Sequence, residues 1–499
     1  MDTAAVSPGS AAARITFAGI VFVVALFFFT RNNGFWFDYH PDEGSKSGQI
    51  INGTRNYHHP LLMLNAADVA SRIAGARPDM QRVTVIGRWT SAAFAAAAVA
   101  LLSSLVWARA GAVAGMAAAA FAGMHPELYK AAHYFKEDTA LMAGLALCFL
   151  AAEHYARNPG LRSLRLLGVA AGFAAAAKYV GIFALLPCAI LVWRTQGRGG
   201  QRALWTSFAI AFLALNIPLS VKLTSPLRSL RNEITEVAEP HGLKHSVPNA
   251  DYFRQLAEDV PTPVLMLAGV HLLALAARRK NAPLGAWTLP AFAALYITLL
   301  SFSPKVGGRY LLPVTTFACA TAALGIADIA ALARRWRYAA PATTLAGAAA
   351  LIPMHATALR PAIEVFNHDT HADLAAWVRE NVPADAFIAQ DHRIHLLDAN
   401  AVPALESLQV PQRVLDSNFV PDLGTIDEMR TWGVVYVAVH KNVYSRYVTG
   451  KFKPSQKERA TFERRKEFYE RLLKDFKPVW ERSAGESEYL QPAMKLFRL

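Results

Sequence analysis

Cysteine is nearly missing from this chain: there are three in 499 residues, and Cys148, Cys188 and Cys319 all fall in apolar runs. That excludes a disulfide-stapled scaffold, and neither a disulfide framework nor a zinc site is expected. Charge is also scarce, at 18% of residues, against about a quarter in an average soluble protein. With 54% hydrophobic residues and a mean hydropathy of +0.22, the composition excludes disorder, collagen and coiled coil. It also argues against an ordinary soluble enzyme. What charge there is carries a net of +14. Nucleic-acid binders can be this basic but not this oily, so no nucleic-acid partner is expected.

Acidic residues are deficient in one region only. Up to His355 there are 31 basic against 17 acidic residues, while from Ala356 onward there are 20 of each. The expected organisation is therefore a membrane domain over 1–355 and a polar domain over 356–499. A bilayer span needs about 20 apolar residues, and about eleven such runs are legible. They cover 14–30, 83–108, 110–124, 139–156, 164–177, 179–193, 203–222, 261–277, 284–301, 311–332 and 338–355. Every second connection is short and basic: Arg109; Arg157, Arg162 and Arg165; Arg194, Arg198 and Arg202; Arg278, Arg279 and Lys280; Arg334, Arg335 and Arg337. The positive-inside rule puts these loops and the amino terminus in the cytoplasm. An odd number of spans then makes the polar tail extracytoplasmic, on a multi-pass protein of the cell (inner or plasma) membrane. Most of the charge excess thus records insertion topology.

The opposite loops hold the unusual residues. The first reads Phe37-Asp38-Tyr39-His40-Pro41-Asp42-Glu43-Gly44, then Lys46 and Tyr57-His58-His59-Pro60-Leu61. It is too long for a simple connector. The second runs from His125 through Lys130 to Lys136-Glu137-Asp138, and Lys178 sits between two apolar runs. A lone intramembrane cation is a functional candidate, although it could also snorkel to the interface. The last loop reads Ser303-Pro304-Lys305-Val306-Gly307-Gly308-Arg309-Tyr310. Solvated or headgroup-facing loops are the plain alternative for each. Together they place carboxylates, which can act as general bases, beside cations that can hold and stabilise a phosphate. A phosphate-linked substrate carried on a lipid would suit this layout.

The order of these motifs resembles the GT-C superfamily of polyprenyl-phosphate-sugar glycosyltransferases. It is most like the bacterial relatives of protein O-mannosyltransferases and the lipid A aminoarabinose transferase. The residues concerned are Asp42-Glu43 after the first span, His58-His59-Pro60-Leu61, Arg88 opening the second span, Lys178 ending the fifth, and Arg309-Tyr310-Leu311-Leu312-Pro313, followed by a polar carboxy-terminal domain. Many relatives have Lys-Pro-Pro-Leu where this chain has His58-His59-Pro60-Leu61, so a weaker anion ligand stands in place of a cation. The resemblance implies a mainly α, polytopic GT-C-like catalytic domain and a hexosyl- or pentosyltransferase of the cell envelope, mannosyltransferase-like in type. It would move a sugar from a polyprenyl-phosphate donor to a glycan, lipid or protein acceptor, at a hydroxyl or amine, by an inverting single displacement. Asp42 would be the general base, and Glu43 would orient groups or share that role. Lys46, Lys178, Lys305 and Arg309 are candidates for the lipid phosphate. Asp38, His58, His59, Lys136, Asp138 and Tyr310 complete the expected binding set. No cofactor is expected; a divalent Mg or Mn ion on Asp38, Asp42 and Glu43 is the minor alternative.

The tail reads as a small α/β domain, with helices at Ala372–Glu380, Ile426–Thr431 and Glu458–Phe476 and strands at Phe387–Ala389, Val434–Val439 and Met494–Leu499. It contains no nucleophile motif, P-loop or dinucleotide fingerprint. His392, His395 and Asp398 have loose metal-like spacing, and a surface loop is the preferred reading. Two rival functions stand beside the transferase. A secondary transporter or lipid flippase would be expected to show internal repeats and midplane charges, and no repeat is visible. A non-catalytic envelope-assembly subunit would have little use for an Asp42-Glu43 pair.

Overall fold

The computed structural model describes residues 11–218, 222–223, 231, 250–302, 307–332, 339–399, 405–450, 454, 456, 459–485 and 489–499. The chain divides into two compact units, Met1–Ala362 and Ile363–Leu499.

Helices dominate the first unit. Among the described residues, seven helices of the chain are long and apolar enough to cross a membrane: Ala11–Phe29, Met80–Ala110, Asp138–Arg157, Tyr179–Leu215, Leu284–Ser301, Gly308–Leu332 and Ala340–Asn381. An eighth span arises if Asp251–Asp259 and Thr262–Ala277, bent by 107°, count as one. This count is lower than the number of apolar runs for physical reasons. Ala112–Gly123 is a helix of only 12 residues, about 18 Å at 1.5 Å per residue, against a hydrocarbon core of about 30 Å. Leu161–Ala177 has 17 residues and Thr262–Ala277 has 16. Tyr179–Leu215 joins two runs, yet Gly197 interrupts it with φ 61° and ψ −146°. The Gln201 amide donates to the Ala189 carbonyl at 2.7 Å, although twelve residues of straight helix would span about 18 Å. The chain therefore doubles back at Gly197, a backbone conformation that suits glycine.

Small residues let these helices pack closely. A Cβ at Gly168 or Gly172 would lie 2.6 Å from the carbonyl oxygen of Leu204 or Phe208. The helix Leu161–Ala177 thus meets the returning segment backbone to backbone, as expected where lipid removes the hydrophobic drive for helices to associate. Met80–Ala110 buries Ala92, Ala95, Ala96, Val99, Leu102 and Val106. Ala11–Phe29, by contrast, exposes Ile15, Ile20, Val23, Val24 and Phe27, an apolar surface suited to lipid. The segment between these two helices is pinned by Asp68. Its fully buried carboxylate pairs with Arg55 at 2.7 Å, with Arg72 at 3.0 Å and also with Arg77.

The second unit is a mixed α/β fold. Its strands are β1 (Phe387–Asp391), β2 (Arg413–Ser417), β3 (Val434–His440), β4 (Pro478–Arg482) and β5 (Met494–Arg498), in spatial order β2-β1-β3-β5-β4. β1 pairs parallel with β2 and β3, whereas β5 runs antiparallel to β3 and β4. Alternation on β3 builds two cores: Val437 and Val439 pack with Tyr469, Leu472 and Phe497, while Tyr436 and Ala438 pack with Leu374, Ile388 and Met494. Both sheet faces are therefore covered, and β3 reads as a nearly continuous apolar run. The helix Ile426–Thr431 begins with a reciprocal capping box between Thr425 and Glu428. The loop reading of His392, His395 and Asp398 needs one correction. His395 is buried, its ring 5.4 Å from that of His371 and 5.6 Å from that of His392, because the turn after β1 folds inward.

Candidate active site

The Asp42-Glu43 motif forms the first turn of the helix Pro41–Asn52. The His40 ring is its N-cap, accepting from the Asp42 amide at 3.1 Å, and Pro41 fills the first helical position. Burial and the neighbouring Lys136 charge push the His40 imidazole down to about 2, so it caps as a neutral acceptor. Two acids in a first turn also complement the helix dipole.

Adjacent residues on a helix point about 100° apart, and the two acids have opposite surroundings. Glu43 is fully buried. Its carboxylate accepts from Arg88 at 2.7 and 3.0 Å and from the Phe135 amide at 2.7 Å. Arg88 is itself fully buried, donates to the carbonyls of Asn33, Phe35 and Trp36, and lies 3.4 Å from the centre of the Phe35 ring. Glu43 thus has the geometry of a pin holding the helix turn and loop together. Asp42 is 54% exposed and makes a 2.9 Å ion pair with Lys136. Partial burial works against its charge, but the Lys136 ammonium overrides this and holds the carboxyl below the usual range. Asp42 is therefore ionised at neutral pH. The Lys136 ammonium is lowered by burial and by Arg309, with Asp42 opposing both.

Three consecutive charged residues bind three different partners. Lys136 meets Asp42 at 2.9 Å, Glu137 meets Lys46 at 2.9 Å, and Asp138 meets Lys178 at 2.6 Å. Lys46 also donates to the Phe135 carbonyl at 2.9 Å. Burial opposes the charge of Glu137, but Lys46 and then His59 hold it down to about 2. The segment 135–138 thereby fixes one helix through its first and second turns, and fixes the junction between Leu161–Ala177 and the following helix. Lys178, lone in sequence, is paired in space.

Asp42, Lys46, His58, His59 and Glu137 line a cavity of about 210 Å³, together with Ser45, Gln49, Asn56 and Leu64. His58 is exposed, and His59 Nε2 lies 4.0 Å from Glu137. Asp38 lies over the same turn: a Cβ at Gly44 would sit 3.6 Å from Asp38 Oδ1. Arg309 is exposed, donates to the Tyr310 hydroxyl at 2.8 Å and stacks 4.8 Å from that ring. Lys305 lies outside the described residues. The suggested Asp38, Asp42 and Glu43 metal set is not assembled, since Glu43 faces Arg88 and Asp42 faces Lys136. Among the described residues no group of three or more His, Cys, Asp or Glu side chains is arranged to hold a metal ion.

Sequence reasoning overlooked Glu137, although it sits between two residues that were singled out. The run Lys136-Glu137-Asp138 was itself the signal. The Asp68 cluster was also missed, because its arginines are scattered over more than twenty positions.

No protein-family model matches the sequence, and no curated protein matches it either. Solved structures do. ArnT from Cupriavidus metallidurans bound to undecaprenyl phosphate is 14% identical, with a TM-score of 0.50 over 98% of this chain and 98% of that one. The apo state of that protein gives 14% identity and a TM-score of 0.47 over 97% of each chain. The Archaeoglobus fulgidus oligosaccharyltransferase tethered with an acceptor peptide gives 12% and 0.47, over 86% of this chain and 70% of that one. At such identity the likeness to ArnT is one of fold, and it extends over nearly the full length. The chain shares that fold, and among the described residues it has seven, or up to eight, helices long and apolar enough to cross a membrane.

Proposed function

We propose that the chain is a membrane glycosyltransferase that moves a sugar from a polyprenyl phosphate to an acceptor hydroxyl or amine, with Asp42 as general base. The observation that carries this reading is the Asp42–Lys136 pair: an ionised, half-exposed carboxylate 2.9 Å from a buried ammonium, at the edge of a polar cavity. The GT-C fold shared with a protein crystallised on undecaprenyl phosphate supports the choice of donor.

In the proposed reaction the acceptor oxygen or nitrogen attacks the anomeric carbon and its proton passes to the Asp42 carboxylate. The bond from that carbon to the phosphate oxygen breaks, and its electron pair leaves with the phosphate. Lys136 and Arg309 supply the positive charge that stabilises this leaving group. An incoming phosphate competes with Asp42 for the Lys136 ammonium, so donor binding releases the base as it positions the leaving group. Glu43, pinned by Arg88, positions the turn that carries Asp42. In this reading the short basic connections face the cytoplasm, and residues 356–499 form an extracytoplasmic domain. The test is to incubate the purified, lipid-reconstituted protein with polyprenyl-phosphate sugars and envelope glycan, lipid or protein acceptors. Formation of a glycosylated acceptor with stoichiometric polyprenyl phosphate supports the reading. Movement of the lipid across the bilayer without covalent transfer refutes it.

A further inference from the structure

A second polar cavity lies at the other end of the helical bundle. The helix Asp138–Arg157 joins the two places: Asp138 belongs to the candidate active site, and Glu153 lines this cavity. Fifteen residues of helix separate them by about 22 Å. The cavity measures about 590 Å³, within the size range of small-molecule sites. It is lined by residues of six helices, Met80–Ala110, Ala112–Gly123, Asp138–Arg157, Thr262–Ala277, Gly308–Leu332 and Ala339–Asn367, and of loops between them, all within the first unit.

Its charged lining is cation-rich. Arg109 meets Glu153 at 2.9 Å and Arg157 meets the other oxygen of the same carboxylate at 2.8 Å. His271 Nδ1 lies 2.7 Å from Asp328, whose second oxygen takes Arg278. Glu153 is thus neutralised by one arginine and carries a second, while Asp328 pairs with Arg278 and also takes the His271 ring. Arg157 and Arg278 are 40% and 58% exposed at the rim, where their remaining N–H groups can reach a ligand. His271 Nε2 is buried and has no hydrogen-bond partner among the described residues. A buried imidazole nitrogen normally finds one. The rest of the wall is apolar, including Leu275 and Leu324.

We propose that this cavity binds a phosphate-bearing anion, held by Arg157 and Arg278, with the Nε2 of His271, whose Nδ1–H is committed to Asp328, accepting from a hydroxyl of the ligand. Guanidinium pairs match phosphate oxygens in both geometry and charge. The same chemistry is offered by an anionic lipid headgroup and by a free phosphate ester, and the test separates these sources. Delipidated full-length protein is titrated with phosphatidylglycerol and with phosphatidylcholine by native mass spectrometry, and with glycerol 3-phosphate by calorimetry. Tighter binding of phosphatidylglycerol than phosphatidylcholine, by about tenfold or more, assigns the site to a lipid. Saturable glycerol 3-phosphate binding without that lipid preference assigns it to a soluble ester. In either case the Arg157→Gln/Arg278→Gln variant should lose the binding by at least about tenfold. If the double variant is not monodisperse, Arg278→Gln alone gives the reading, since that side chain is more than half exposed. Equal binding of the two lipids with no glycerol 3-phosphate binding overturns the proposal, as does binding that survives substitution.

Discussion

The two ends of the helical bundle arrange their charges by different rules. At the candidate active site Asp42, Glu137 and Asp138 each face one lysine. At the opposite end Glu153 is shared by two arginines, and Asp328 by an arginine and a histidine. One-to-one pairs with a flexible ammonium can be exchanged for a substrate phosphate, but loss of either member leaves its partner unmatched. A carboxylate shared by two arginines, as Glu153 is, tolerates loss of one and otherwise keeps a surplus of positive charge. The first arrangement suits turnover, and the second suits holding an anion.

The Arg88–Glu43 pair gives the largest expected break in this comparison. Both side chains are fully buried, so Arg88→Met strands a carboxylate and should destabilise the protein by about 3–5 kcal/mol. A lowered melting temperature in detergent reads this out. Adding Glu43→Leu should recover part of the loss, because no buried charge is then left unpaired.

Next comes Lys136→Met. Asp42 is held below the usual carboxylate range by that ammonium against the pull of burial. Removing the cation should raise the Asp42 pKa. The carboxylate would then be protonated at a higher pH, so the acid limb of kcat/KM should move upward. An acid limb that stays in place would mean that Asp42 does not titrate in the rate-determining base. Arg157→Gln should have the smallest effect, costing less than about 1 kcal/mol, because Arg109 still neutralises Glu153. A large melting-temperature loss there would dissolve the distinction between the two ends.

Much of this was legible from local signals. The apolar runs became helices because backbone pairing within the segment is the available solution in lipid. In the second unit, the buried β-branched strand Val434–His440 was readable, but Arg413–Ser417 and Pro478–Arg482 were not. Those two are the sheet edges, and their polar, half-exposed residues carry a weak strand pattern. At the candidate active site the residue types were visible but their partners were not. Asp42 and Glu43 are equivalent as letters, and what separates them is Arg88, which lies 45 positions from Glu43. Lys178 read as a lone cation because Asp138 lies 40 positions away. The break at Gly197 was legible, since it falls in the basic connection between the apolar runs 179–193 and 203–222.

The central claim is that Asp42 takes the acceptor proton. Its most direct test is the rate of single-turnover transfer by Asp42→Asn, in protein that is monodisperse, melts like wild type and is saturated with polyprenyl-phosphate sugar. Loss of a general base predicts a fall of about 10²–10⁴-fold with donor binding retained. Transfer at the wild-type rate would contradict the account.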